Sequence, residues 1–263
     1  MKVLVGLMYS IESEYAVSQW SLRQQTYTDY EVFKIEDMAN KEAHDAMYQT
    51  FMDHSDRFDL FMKLDADMVL CRADFLARAV HLLKENPSVD DLQIGVHDFF
   101  MDELIHGLHI YSNRVRWAQC EEQVFVDMID QRKQRMQDMR ILAPAAWHCP
   151  NPSLMQSFHY GVHRAIKVWQ HGAVTPLPHM RKQAVEYISK LIGQWSKRKD
   201  ARVGYATLGA FYGLKESVGY SFSDYKGHDF QAMYQKVQGY DLRALEEEIA
   251  RVGQYAKAAL LQL

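Results

Sequence analysis

The chain has 263 residues, enough for one mid-sized domain with an appendage or for two small domains. With 48% hydrophobic and 24% charged residues it reads as a soluble globular protein, and a net charge of −4 gives no electrostatic ground for a nucleic-acid partner. Three cysteines (Cys71, Cys120, Cys149) are too few for a disulfide framework and suit a reducing, cytoplasmic compartment. No uncharged apolar stretch reaches the roughly 18 residues of a membrane span. The opening "MKVLVGLMYSIESEY" lacks a small-residue cleavage site and reads as a first strand, not a signal peptide.

In chain order, Lys2 to Met8 is an apolar, β-rich run and predicts a buried strand. Glu14 to Gln25 carries Tyr15, Val17, Trp20 and Leu22 at helical spacing; "TYTDY" is a turn and "EVFKI" a second strand. Lys41 to Asp53 is helical, Asp59 to Leu64 a third strand, and Ala73 to Glu85 a helix stopped by "ENPS". Leu92 to Phe100 and Leu104 to Tyr111 read as strands, Glu121 to Gln137 as a helix, Arg140 to Trp147 as a strand and Ser153 to Gln170 as a helix. Beyond "HGAVTPLPH" the composition turns to charged helical segments, ending in the amphipathic "LRALEEEIARVGQYAKAALLQL". Alternating strand and helix predicts a mixed, mostly parallel α/β sheet flanked by helices, over residues 1–172, followed by a helical extension over 173–263. In such a sheet a ligand lies outside the carboxyl ends of the strands.

Chemistry enters at "FMKLDADMVLC", where Asp65 and Asp67 interrupt an apolar run. Burying charge is costly unless it is paired or bound to metal. Two carboxylates two residues apart on an extended chain face one side, and hard oxygen ligands of this kind suit Mg²⁺ or Mn²⁺ shared with a phosphate. A pair of solvated loop aspartates is the competing reading of the tripeptide alone.

The ordered set "RQQTYTDYEV", Glu36-Asp37, "AHD" (Ala43 to Asp45) and Asp65-Ala-Asp67 resembles the family 2 glycosyltransferases of the GT-A fold, Rossmann-like enzymes of the Asp-x-Asp type. The likeness is close over about residues 1 to 85 and looser to about 165. It continues in "CEEQVFVDMIDQRKQRMQDMRILAPAAWHCPNPS", where Glu121 and Glu122 stand at the family's acidic pair and His148 at its downstream histidine. The resemblance implies a metal-dependent, inverting glycosyltransferase with Mn²⁺ or Mg²⁺ as cofactor. Its donor would be a UDP-, GDP- or dTDP-sugar and its acceptor a carbohydrate or glycolipid. It makes Glu122 the general base, beside Glu121, and Asp65, Asp67 and His148 the metal ligands, with His159 a second candidate. A sugar hydroxyl needs such a carboxylate to take its proton, and a departing diphosphate needs a cation.

Other residues in this pattern are candidates for the donor. Tyr9 would stack on the base; Glu12, Glu36, Asp37 and His44 would line the nucleotide, and Asp65 would reach the donor. His44 and Asp45 replace the family's arginine and asparagine, and the first loop lacks its proline and asparagine. In "SFHYGVHRAIK", His163, Arg164 and Lys167 would present positive charge to phosphates. Glu121 and Glu122 equally suit an acidic first helical turn, and Asp98, Asp102, Asp127 and Asp130 are rival bases. The aromatics Tyr205, Phe211, Tyr212, Tyr220, Phe222 and Tyr225 read first as core. The last helix allows a peripheral contact with the inner face of a membrane, against which Glu246 to Glu248 argue. Surface-polysaccharide or lipopolysaccharide synthesis is the setting that family habit implies. Two rivals stand beside this reading: a nucleotidyltransferase making a sugar nucleotide, disfavoured because "LMYSIESEY" lacks a glycine-rich basic loop, and a non-catalytic carbohydrate-binding protein.

Overall fold

The computed structural model describes residues 1–118, 134–169, 177–216 and 230–260. These fall into two compact units, the second made of the chain from Pro152 onward together with Ala39–Lys41, and the first of most of what precedes it. The first contains β1 (Val3–Tyr9), α1 (Tyr15–Arg23), β2 (Tyr30–Glu36), α2 (Asn40–Asp53), β3 (Leu60–Asp65), β4 (Met68–Leu70), α3 (Phe75–Glu85), β5 (Asp91–Asp98), β6 (Glu103–Ser112), β7 (Arg135–Asp138) and β8 (Ala146–His148). The second contains α4 (Leu154–Trp169), α5 (Leu177–Arg198), α6 (Ala201–Glu216), α7 (Phe230–Gln235) and α8 (Leu242–Leu260). The boundary expected near Gly172 lies outside the described residues.

The first unit is a mixed, Rossmann-like α/β sheet of eight strands in the order β2-β1-β3-β6-β5-β8-β4, with β7 beside β5. β1 pairs parallel with β2 and β3; β6 is antiparallel to both β3 and β5; β8 runs parallel to β5. Thus β1, β2, β3, β5 and β8 all point their carboxyl ends at one edge. β4 starts from that edge, antiparallel to β8.

The buried runs of β1 and β3 need apolar cover. A core cluster supplies it from Met47, Tyr48 and Phe51 of α2, together with Tyr111 and Trp117. Its rings are closely apposed: Tyr48 stacks on Trp117 at 4.7 Å and Phe51 on Phe61 at 4.7 Å. Elsewhere in this unit, polar side chains set the position of β4. Ser21 Oγ accepts from the Leu70 amide at 3.0 Å. The buried Gln25 amide donates to Arg72 O and accepts from the Leu76 amide. This is the structural use of the glutamine in the "QQTY" turn.

Two expected elements differ. The helix predicted through Gln137 does not extend that far, because Arg135–Asp138 is a strand registered on Asp91–Ile94. The strand predicted from Arg140 shrinks to Ala146–His148. Asp138 explains the loss: its carboxylate accepts from the amides of Arg140, Ile141 and Leu142, winding the chain into a turn. A cis Ala143–Pro144 bond follows, and proline has no amide for a sheet.

Asp91 anchors this corner of the unit. It is fully buried and accepts from His109 Nδ1 at 3.0 Å and Arg135 Nε at 2.9 Å, joining β5 to β6 and β7. Burial raises its carboxyl most, but the hydrogen bonds and charges of His109 and Arg135 outweigh this and hold it below the ordinary range. A depressed carboxyl contributes stability above its unfolded pKa and loses it as pH falls through the folded value. Asp91→Asn is therefore expected to destabilise by about 2–3 kcal/mol at pH 7, the scale of charged hydrogen bonds. In denaturant titrations that difference should hold from pH 7 to 5 and shrink only below about pH 4.

In the second unit, α4 and α6 cross at glycines. A Cβ on Gly161 would lie 1.8 Å from Ala206 O, and one on Gly209 2.0 Å from Phe158 O, so only glycine permits this approach. Tyr205, Phe211 and Tyr212 are core residues here, while Tyr220, Phe222 and Tyr225 lie outside the described residues. Among the described residues no helix is long and apolar enough to cross a membrane.

Candidate functional site

The carboxyl edge of the first unit collects the ionisable residues. β3 ends at Asp65, and Ala66 stays tied to β1 through its amide to Met8 O at 2.9 Å. The chain then turns rather than continuing extended, so Asp65 and Asp67 do not share one face by strand alternation. Asp67 instead enters β4 opposite β8: Met68 registers with His148, and the Cys149 amide donates to Asp67 O at 2.8 Å. On its other side β8 registers with β5, His148 against Asp98, and the Phe99 amide donates to His148 O at 3.1 Å. His148 is thus pinned between the strands that carry two of the acids.

The side chains follow this register. Nδ1 of His148 lies 2.5 Å from Oδ2 of the fully buried Asp98, whose Oδ1 accepts from the Met101 amide at 2.6 Å. Nε2 of His148 lies 3.2 Å from Asp67 Oδ2. The Cys149 thiol donates to the same oxygen at 3.2 Å and stands 3.7 Å from Nε2. Among the described residues, Asp67, His148 and Cys149 form the group of side chains able to share one cation. The other oxygens, Oδ1 of Asp67 and Oδ1 of Asp65, are buried with no hydrogen-bond partner, and Asp65 Oδ2 lies 3.5 Å from Lys63 Nζ.

Glu12, in the loop after β1, faces the same acids. Burial pushes its carboxyl up most; the Ser10 amide lowers it, and the charges of Asp67 and Asp65 raise it further. Burial also works against ionising Asp67, but the charge and hydrogen bond of His148, with the Cys149 thiol and Lys63, hold its carboxyl below the ordinary range. For His148, burial opposes the charged form, yet its interactions with Cys149 and with the carboxylates of Asp67 and Asp98 raise its pKa well above the usual value. Burial, reinforced by Asp67, pushes the Cys149 thiol well up. A buried thiol with a raised pKa is not an activated nucleophile, so a cysteine–histidine acyl-transfer reading is not supported.

A cation fits this chemistry. Oδ1 of Asp65 and Oδ1 of Asp67 are buried without partners, the charges of both acids are felt by Glu12, and an oriented imidazole presents Nε2 to Asp67 Oδ2. Asp67 and His148 would hold the ion, with Asp65 beside them.

The remaining sequence candidates fall in several places. Tyr9 stacks on Tyr15 with ring centroids 4.0 Å apart, the Tyr15 hydroxyl donates to Glu36, and Lys34 lies 3.7 Å from Glu36. Asp37 has a left-handed φ of 55° and donates its amide to Tyr9 O. Tyr9, Glu36 and Asp37 therefore lie together at the ends of β1 and β2. His44 sits on α2 with its ring 6.1 Å from that of Tyr48. His159, His163, Arg164 and Lys167 belong to α4 in the second unit. There burial pushes His159 down to about 4, leaving it neutral, and Arg164 lies 4.8 and 4.7 Å from the rings of Tyr160 and Tyr187. Glu121, Glu122, Asp127 and Asp130 lie outside the described residues. Asp98, a rival base in the sequence, is the buried partner of His148, while Asp102 sits at a turn with φ 54°. The residue that sequence reasoning missed is Cys149; its only signal was direct adjacency to His148.

No family model matches the chain, and no curated protein matches it. Solved structures similar to it include A197 from STIV, with a TM-score of 0.31 and 14% identity over 43% of this chain and 65% of that one. S. aureus TarS matches at 0.40 and 11% over 98% of this chain and 55% of its own length. S. aureus TarS 1-349 matches at 0.38 and 11% over 100% and 92%. The chain spans about two thirds of A197 and about half of the longer TarS chain. Likenesses of this size carry no argument about activity, which rests on the chemistry of the site.

Proposed function

We propose that the chain is a metal-dependent glycosyltransferase that moves a sugar from a nucleotide-sugar donor to a hydroxyl of a carbohydrate or glycolipid, with inversion. The observation that carries the reading is Asp67 in contact with an oriented His148, just after Asp65 ends β3, at the carboxyl edge of parallel strands. That edge is where such sheets bind nucleotides. Bound Mn²⁺ or Mg²⁺ would supply charge neutralisation for the departing diphosphate. Asp67 and His148 hold it, with Asp65 turned to the donor. The Tyr9–Tyr15 stack and Glu36 and Asp37 offer a face and acceptors for base and ribose, and His44 is a further donor contact. Glu122, or Glu121 beside it, takes the proton of the attacking hydroxyl as that oxygen bonds to the anomeric carbon and the bond to the diphosphate breaks. A cytoplasmic enzyme of surface-polysaccharide or lipopolysaccharide synthesis, in contact with a membrane face, is the setting that family habit implies.

The nucleotidyltransferase reading is weaker on a specific observation. The amides of Ser10 and Ile11, which a triphosphate loop needs, are already bonded to the Glu12 carboxylate at 2.7 and 3.0 Å. The test is a panel of UDP-, GDP- and dTDP-sugars assayed for diphosphate release with Mn²⁺. Metal-dependent release is expected from at least one, with Glu122→Gln reducing it about 10²–10⁴-fold. No binding or turnover of any of them would overturn the reading.

A further inference from the structure

We propose that Cys149 makes this centre a zinc site, with Asp67 Oδ2, His148 Nε2 and Cys149 Sγ as three of its ligands. The proposal does not require the transfer reaction: it stands on three ligand atoms and their supports. Tetrahedral zinc, with bonds of about 2.0–2.1 Å to nitrogen or oxygen and about 2.3 Å to sulfur, has edges of about 3.3 Å for N···O, about 3.5 Å for S···O and about 3.6 Å for S···N. The corresponding separations here are 3.2, 3.2 and 3.7 Å. Three side chains thus already outline one face of the tetrahedron. A mixed oxygen, nitrogen and sulfur set suits zinc, whereas Mg²⁺ favours an octahedron of oxygens.

The supports are those of a built site. Asp98 holds Nδ1 of the imidazole at 2.5 Å, so Nε2 is the nitrogen offered, as the carboxylate behind a zinc-bound histidine does. Cys149 sits at a left-handed φ of 50°, unusual for a residue with a side chain, and its amide is tied to Asp67 O at 2.8 Å. That strained conformation is held where the thiol returns toward the Asp67 carboxylate, whose Oδ1 is buried without a partner. On binding, the thiol proton and the imidazolium's Nε2 proton leave to solvent, the sulfur coordinates as thiolate and the imidazole through Nε2, and the imidazole keeps its Nδ1 proton on Asp98. Because Asp67 and His148 are also the residues assigned above to the catalytic cation, zinc and Mn²⁺ would compete for this one site. That corollary rests on the proposed function; the zinc site does not.

The test uses cobalt as a spectroscopic stand-in. The full chain, stripped by chelator, is titrated with Co²⁺ and followed by absorption. Expected are one equivalent bound, a thiolate-to-cobalt charge-transfer band with intense tetrahedral visible bands, and loss of both on adding one equivalent of Zn²⁺. The C71S/C120S double variant should keep the band; Cys149→Ser should lose it and bind zinc about 100-fold more weakly. A weak octahedral spectrum without charge transfer, in the wild type or in the double variant, would overturn the site whether or not Cys149→Ser folds. So would a band that survives in Cys149→Ser. Because nothing here measures turnover, a zinc site without transferase activity, or the reverse, remains distinguishable.

Discussion

Asp67→Ala is expected to lower metal-dependent turnover by about 10³-fold or more while leaving the protein folded. The turnover loss follows from position. Asp67 is the acid that touches His148, and its outer oxygen is buried without a partner, so it is the natural anchor of the cation. Losing a group aimed at developing charge in such a site commonly costs two to three powers of ten, and losing the anchor of the ion costs at least that. The small stability effect follows from two opposing changes. The variant forfeits the contacts of Asp67 with His148 and Cys149, but it also removes a negative charge that Glu12 feels at close range. Unfolding free energies of wild type and variant from urea titration should therefore agree to within about 1 kcal/mol, the size of one hydrogen bond. A variant that folds and turns over normally would remove the metal role from this residue.

Asp98→Asn is expected to act differently, on affinity more than on rate. Asp98 touches neither donor nor acceptor in this account; it fixes the tautomer and the direction of His148. Asparagine keeps an acceptor for Nδ1–H but lacks the charge that makes the imidazole a better ligand. Partners of this kind typically change metal affinity by about 10–100-fold. Titrating activity with Mn²⁺ should show the half-saturating concentration rising by that factor, with kcat recovered to within a few-fold at saturating metal. A purely structural role would instead lower kcat at every metal concentration and leave the metal dependence where it was.

Much of the first unit was legible because its signals are local. Apolar runs mark β1 and β3, helical spacing marks α1 and α2, and alternation of the two implies parallel strands. Legibility failed where long-range pairing decides the outcome. Arg135 is in a strand because its backbone registers with Asp91 and its guanidinium meets that buried carboxylate, 44 residues away, which no periodicity announces. Asp138 ends that strand by capping three amides, an effect of one side chain just past a run that reads as helix. The site shows the same division. Asp67 and His148 were visible as residue types in order. Asp98 behind His148 arises from the parallel register of β5 with β8, across 50 residues, and Cys149 is brought in by a left-handed turn of the backbone. Both are products of strand pairing, not of motif.

The central claim is that this edge of the sheet binds a nucleoside diphosphate through a cation held by Asp67. The most direct measurement is calorimetric titration of UDP, GDP and dTDP into the wild type and Asp67→Ala, with and without Mn²⁺. The account predicts that at least one nucleotide binds the wild type with Mn²⁺ present, and that its affinity falls by at least about tenfold when either Mn²⁺ or the Asp67 carboxylate is removed. Binding that is equally tight without metal, or unchanged in Asp67→Ala, would contradict it.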